Sequence, residues 1–159
     1  MKKSFFTLLL GLGVAFGANI QTLTQQCEAN NAKACYDLGA AYALGKGVPE
    51  NKKKAFELFQ KACDLGSASA CNDVGAWYDS NTENIGVAKD LSKAFALYKK
   101  ACDMGNARGC FNLGALYYNG GDGVKKDINA AKNYSKKACS MGEQTGCDNY
   151  KIMLRQGGR

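Results

Sequence analysis

From residue 35 onward, apolar and polar positions alternate at helical spacing in blocks that recur along the chain. Residues 35–42 read CYDLGAAY, 71–78 read CNDVGAWY and 110–117 read CFNLGALY. Each block sets Cys, Leu or Val, Gly and Tyr at i, i+3, i+4 and i+7, one stripe of an α-helix, here helix A. A second set, KAFELFQKAC at 54–63, KAFALYKKAC at 93–102 and AAKNYSKKAC at 130–139, has the same periodicity and forms helix B. Asn51, Asp90 and Asp127, each three residues past a Gly-Val pair, are the N-caps of the B helices. Gly39, Gly75 and Gly114 each weaken helix A by about 1 kcal/mol against Ala, which calls for a local reason. Close approach of the partner helix supplies it.

The eight cysteines fall into couples eight positions apart, and successive couples recur every 36 to 39 residues. That period marks a repeat array in which each supersecondary unit buries its apolar face against its neighbours. A continuous helix would hold residues eight apart at about 12 Å, whereas a disulfide needs Cα atoms within about 7 Å. The chain therefore reverses inside each couple. Asn30, Gly66, Gly105 and Gly142, three residues after each first cysteine, are of the types that accept the left-handed conformation ending a helix. Of the 105 pairings open to eight cysteines, the local one alone repeats identically in every unit. This gives Cys27–Cys35, Cys63–Cys71, Cys102–Cys110 and Cys139–Cys147. Zinc is disfavoured, since paired zinc cysteines stand two to four residues apart and the chain has no His. No metal and no cofactor is expected.

The N-terminus changes the setting of those thiols. Met1, Lys2 and Lys3 precede a largely apolar run to Phe16, followed by small residues, the layout of a secretory signal peptide cut after residue 17 or 18. A secreted or periplasmic location follows, in which disulfides persist. The apolar run is too short to span a bilayer comfortably, and no transmembrane segment is expected.

The Leu-Gly-x-x-Tyr, Gly-x-Gly-Val, Asp/Asn and Lys-Ala motifs resemble Sel1-like repeats, relatives of the tetratricopeptide repeat. With a Cys couple in every unit and a leader in front, the chain is similar to the Helicobacter cysteine-rich proteins. The resemblance implies an all-α, right-handed solenoid of disulfide-linked αα-hairpins. The domain organisation expected is a leader at 1–17 and one repeat domain at 18–159, with units at about 35–70, 71–109 and 110–146 and partial units at 18–34 and 147–159. Residues 147–151, CDNYK, put Lys151 where the other units have Gly, as suits a terminal helix. The second unit's loop is longer around residues 81–83, and the third carries an extra Gly near Gly121.

Members of that family have been described as penicillin-binding or as weak β-lactamases, and others as factors seen by a host. The resemblance thus implies a β-lactam, a peptidoglycan fragment or a host factor as partners, and whether the chain is an enzyme stays open. Its residues offer little for catalysis. None of the serines at 67, 69, 80, 92, 135 and 140 has a Lys three positions on, and a zinc enzyme would need histidines. The charge is +7, two of it from the leader, and its Lys runs at 52–54, 99–100, 125–126 and 136–137 come without a nucleic-acid motif. A nucleic-acid partner is not expected.

Carrying over the groove positions of the tetratricopeptide repeat selects Lys33, Tyr36, Asn72, Asp79, Arg108, Phe111, Tyr118 and Asn119, with Ala40, Ala76 and Ala115 between them. Aromatics, Arg and amides are the composition of a surface that holds a peptide or protein segment. Tyr36 and Phe111 are equally placed to pack against neighbouring units. Leu38, Val74, Leu113, Tyr42, Tyr78 and Tyr117 are expected in the core.

Overall fold

Each B segment ends in a left-handed residue, and each A segment begins immediately after it, so the chain folds as a succession of antiparallel helix pairs. The computed structural model describes residues 10–80 and 86–156, with side chains from residue 19. The leader expected at 1–17 lies outside the described residues except for the backbone of 10–17. The insertion around 81–83 lies outside them too.

Two compact units divide the chain, 1–66 and 67–159. In the first, α1 (Leu10–Glu28) packs on α2 (Ala32–Leu44), and α2 on α3 (Lys52–Asp64). In the second, α4 (Ala68–Asp79), α5 (Leu91–Asp103), α6 (Ala107–Asn119), α7 (Ile128–Ser140) and α8 (Gln144–Gln156) pack each on the next, and α4 also touches α6. Helices α2, α4, α6 and α8 are A helices; α3, α5 and α7 are B helices. The fold class is all-α.

The same bonds close every hairpin. Asn51, Asp90 and Asp127 accept from the backbone N–H groups of Lys54, Lys93 and Ala130, each at 2.9 Å. Their own N–H groups donate to the carbonyls of Tyr42, Tyr78 and Tyr117, each at 2.8 Å. One residue thus caps helix B and ties it to the last turn of helix A.

The corners between hairpins repeat as closely. Asn30 has φ 63°, and Gly66, Gly105 and Gly142 have φ of 98°, 87° and 91°. Beyond them, the N–H groups of Asn31, Asn106 and Glu143 reach back to Gln26, Ala101 and Ala138 at 2.9, 2.9 and 3.0 Å, which satisfies carbonyls left open at the ends of α1, α5 and α7. Asn106 also caps α6 by accepting from Gly109 N–H at 2.7 Å. Asn106→Ala is expected to cost about 1 kcal/mol, read as a lower thermal midpoint with the far-UV spectrum unchanged.

Disulfides bracket these corners. Cα atoms are 4.6 Å apart in Cys27–Cys35 and 4.5 Å apart in both Cys102–Cys110 and Cys139–Cys147. Cys63 and Cys71 are disulfide-bonded as well.

Inside each hairpin the A-helix glycine sets how close helix B comes. A Cβ on Gly39 would stand 2.8 Å from the Phe59 ring, and one on Gly75 2.9 Å from the Tyr98 ring. These contacts lie below van der Waals distance, so a methyl would have to displace the ring. Leu38, Val74 and Leu113 are buried, as are Ala55, Ala94 and Ala131 on the facing helices. Tyr42, Tyr78 and Tyr117 depart from the expected core burial, since all three are half-buried. Lysines of the paired B helices lie over two of the three rings. Lys54 Nζ lies 4.3 Å from the Tyr42 ring centroid and donates to its hydroxyl at 2.8 Å, and Lys93 Nζ lies 5.0 Å from the Tyr78 ring. Tyr117 instead stacks on Tyr134 at 5.6 Å and meets Phe95 edge-on at 5.2 Å.

Candidate functional site: a pocket on the A-helix face

In the 67–159 unit a pocket of about 230 Å³ opens between α6 and α8. Gly114, Ala115, Tyr118 and Asn119 line it from α6, and Asn149, Ile152 and Met153 from α8, over a floor at Ser135 of α7. Helical spacing brings these residues together, since 115, 118 and 119 share one face of α6 and 149, 152 and 153 share one face of α8. Ser135 and Met153 are buried, whereas Ile152 is 48% exposed, an apolar side chain on an open rim. Tyr118 is held in place from two sides. Its hydroxyl donates to Gln156 Oε1 at 3.3 Å, and Lys126 Nζ stands 5.4 Å from its ring centroid.

The remaining groove candidates are distributed differently. Tyr36 is half-buried with its ring 5.2 Å from that of Phe59, and Lys33 is exposed and paired with Asp37 at 2.5 Å. Phe111 packs on the cluster of Cys102, Cys110 and Ala138. Arg108 is exposed and lies 3.9 Å from Glu143. Asn72 is buried, accepting from Asn112 Nδ2 at 2.9 Å and donating to Asp73 at 3.1 Å. The part-buried Asn72–Asn112 bond joins two A helices, one amide donor meeting one acceptor. Asp79 accepts from the Tyr98 hydroxyl at 3.4 Å. Tyr118, Asn119 and Ala115 are therefore brought into one site, while Tyr36, Phe111 and Asn72 are engaged in packing or in bonds between helices.

The pocket also contains residues outside the groove selection: Ser135, Asn149, Ile152 and Met153. Ile152 stands five positions after Cys147, as Ala115 does after Cys110. Asn149 stands two after its cysteine, the column of Asp37, Asp73 and Asn112. Extending the Ala40, Ala76 and Ala115 column into the last helix finds Ile152, whereas the column of Asn149 was not among the groove positions.

Electrostatics around the hairpins is that of solvated pairs. The Lys99–Asp103 hydrogen bond of 2.7 Å pushes the lysine up and the carboxyl down from their ordinary values. The Lys93 N–H bond at the N-cap lowers Asp90. Burial is the main cause that raises the Tyr117 phenol. Several serine hydroxyls have structural partners: Ser67 caps α4, Ser80 donates to the Ala76 carbonyl at 2.9 Å, and Ser140 donates to that of Lys137 at 2.8 Å. Among the described residues no helix is long and apolar enough to cross a membrane.

Repeated αα-hairpins, each corner bracketed by cysteines, with side-chain bonds linking α4 to α6 and α6 to α8, define a helical-repeat scaffold. The Sel1 repeat matches residues 32–67, 68–106 and 107–143, and the chain belongs to the Sel1 repeat family. It is similar to Helicobacter pylori cysteine rich protein B, at 32% identity and a TM-score of 0.65, over 86% of this chain and 95% of that one. It shares its fold with c5321, a protective antigen of uropathogenic Escherichia coli, at 22% identity and a TM-score of 0.81 over 94% of this chain. A Sel1 repeat protein from Oxalobacter formigenes matches at 24% identity and 0.80 over 90% of this chain. The chain spans 33% and 57% of the lengths of these last two. No curated protein sequence matches it significantly. Sel1 repeat scaffolds typically mediate protein–protein interaction.

Proposed function

We propose that this chain, exported by its 1–17 leader and working as one repeat domain over 18–159, holds an extended segment of a partner polypeptide on its A-helix face. The pocket between α6 and α8 carries this reading. It offers an anchor site for one side chain, bounded by Tyr118 and Ile152, with the amides of Asn119 and Asn149 beside it. Amide side chains can pair with both the N–H and C=O groups of a bound backbone, and a buried anchor with a polar rim is the arrangement that concentrates binding energy. Eight disulfide-bonded cysteines support an oxidising compartment as the place of action.

The test is selection of linear peptides from a random display library on the oxidised protein, followed by affinity measurements on variants. Tyr118→Ala combined with Asn119→Ala is expected to weaken selected peptides by about tenfold or more with the thermal midpoint nearly unchanged. Full affinity in that variant would overturn the reading.

A further inference from the structure

The position four residues before the first cysteine of each corner is Phe59 in α3, Tyr98 in α5 and Ser135 in α7. It faces the A-helix glycine every time. In the first two hairpins an aromatic ring lies on that glycine, at 2.8 Å from the Cβ position of Gly39 and 2.9 Å from that of Gly75. In the third, the residue is a serine with no ring, its Oγ 3.2 Å from the corresponding point on Gly114, and a pocket opens beside the two. Gly114 and Ser135 both line the pocket.

We infer that the pocket is the place of a missing intramolecular ring, and that its occupant is an aromatic side chain presented by the bound polypeptide. This rests on the peptide-scaffold reading above. Size agrees, because an enclosed cavity of about 150 Å³ already admits benzene and this one measures about 230 Å³. The walls agree as well. Met153 offers a thioether, the backbone at Gly114 allows the close approach seen at Gly39 and Gly75, and the Tyr118 ring stands at the side. Rings favour thioether and edge-to-face ring contacts of this kind. The Lys126 ammonium, 5.4 Å from the Tyr118 ring centroid, places positive charge next to a lining residue, which favours acidic residues flanking the bound ring.

The experiment restores the ring from within. A random linear heptapeptide library is selected on the wild type, and selected peptides are measured on Ser135→Phe and on Ala115→Leu, which fills the same space from α6. Expected are peptides sharing one aromatic position, an affinity loss of about tenfold or more in both variants, and a raised thermal midpoint in Ser135→Phe. Ala115→Leu decides alone if Ser135→Phe does not fold. Peptides anchored by aliphatic residues, or without a common anchor, would overturn the aromatic occupant and leave the scaffold reading standing. Aromatic peptides that bind the filled variants undiminished would likewise place the ring elsewhere. Failure to enrich any peptide would overturn both.

Discussion

Reduction of the oxidised protein is expected to abolish its cooperative fold at room temperature. Each corner disulfide has a sequence separation of eight, and loops of that size contribute about 2.5 kcal/mol each in the chain-entropy account. Four such links amount to about 10 kcal/mol, against a total margin of about 5–15 kcal/mol for an ordinary domain. The repeat has little to set against that loss, because several fully buried positions are alanines, among them Ala55, Ala62, Ala94 and Ala101. Small residues let helices approach but bury little apolar area. Far-UV dichroism with and without a phosphine reductant checks this, and a sharp thermal transition surviving in reductant would contradict it.

Tyr98→Ala is expected to have the largest effect of any single side-chain truncation at a B-helix position. The Tyr98 side chain is among the largest fully buried ones and packs in a cluster with Ala94, Leu113, Leu116 and Val124. Its loss leaves a ring-sized cavity beneath Gly75 and costs about 3–5 kcal/mol in a denaturant melt. Tyr98→Phe keeps the ring and gives up one long hydrogen bond to Asp79 at 3.4 Å, for less than about 1 kcal/mol. The two variants together separate packing from polarity.

The same phenol predicts alkaline behaviour. Burial first, then the Asp79 carboxylate, push its ionisation far above the ordinary tyrosine range. The folded state therefore keeps a proton that the unfolded chain releases near pH 10. The stabilisation is complete below that pH and declines above it by about 1.4 kcal/mol per pH unit. Tyr98→Phe should remove that part of the decline.

Much of the fold was legible in the chain. Caps at Asn51, Asp90 and Asp127, left-handed corners at Asn30, Gly66, Gly105 and Gly142, and the glycines that admit helix B all follow from residue type and spacing. Local chemistry decides such features, so sequence reveals them. The tyrosines at 42, 78 and 117 were read as core because their stripe is apolar. Stripe position gives the direction of a ring, not how much of it the neighbouring side chains cover.

The site was legible in part. Tyr118 and Asn119 came from repeat position, but the same rule selected Tyr36 and Phe111, whose rings are spent on Phe59 and on the Cys102–Cys110 corner. A groove position tells where a side chain starts, and the size of the neighbour decides whether it stays available. Ser135 is the clearest instance. It breaks the Phe59 and Tyr98 column, and the break becomes a cavity only because Gly114 opposite adds no side chain to fill it. That requires the pairing of α6 with α7, which no single segment records.

The most direct test of the scaffold account is the amide shift map of ¹⁵N-labelled, oxidised protein titrated with a peptide selected on it. The account predicts shifts concentrated at 114–119 on α6 and 149–153 on α8, around the floor at Ser135. Shifts confined to the lysine-bearing stretches of α5 and α7, with the pocket residues unmoved, would contradict it.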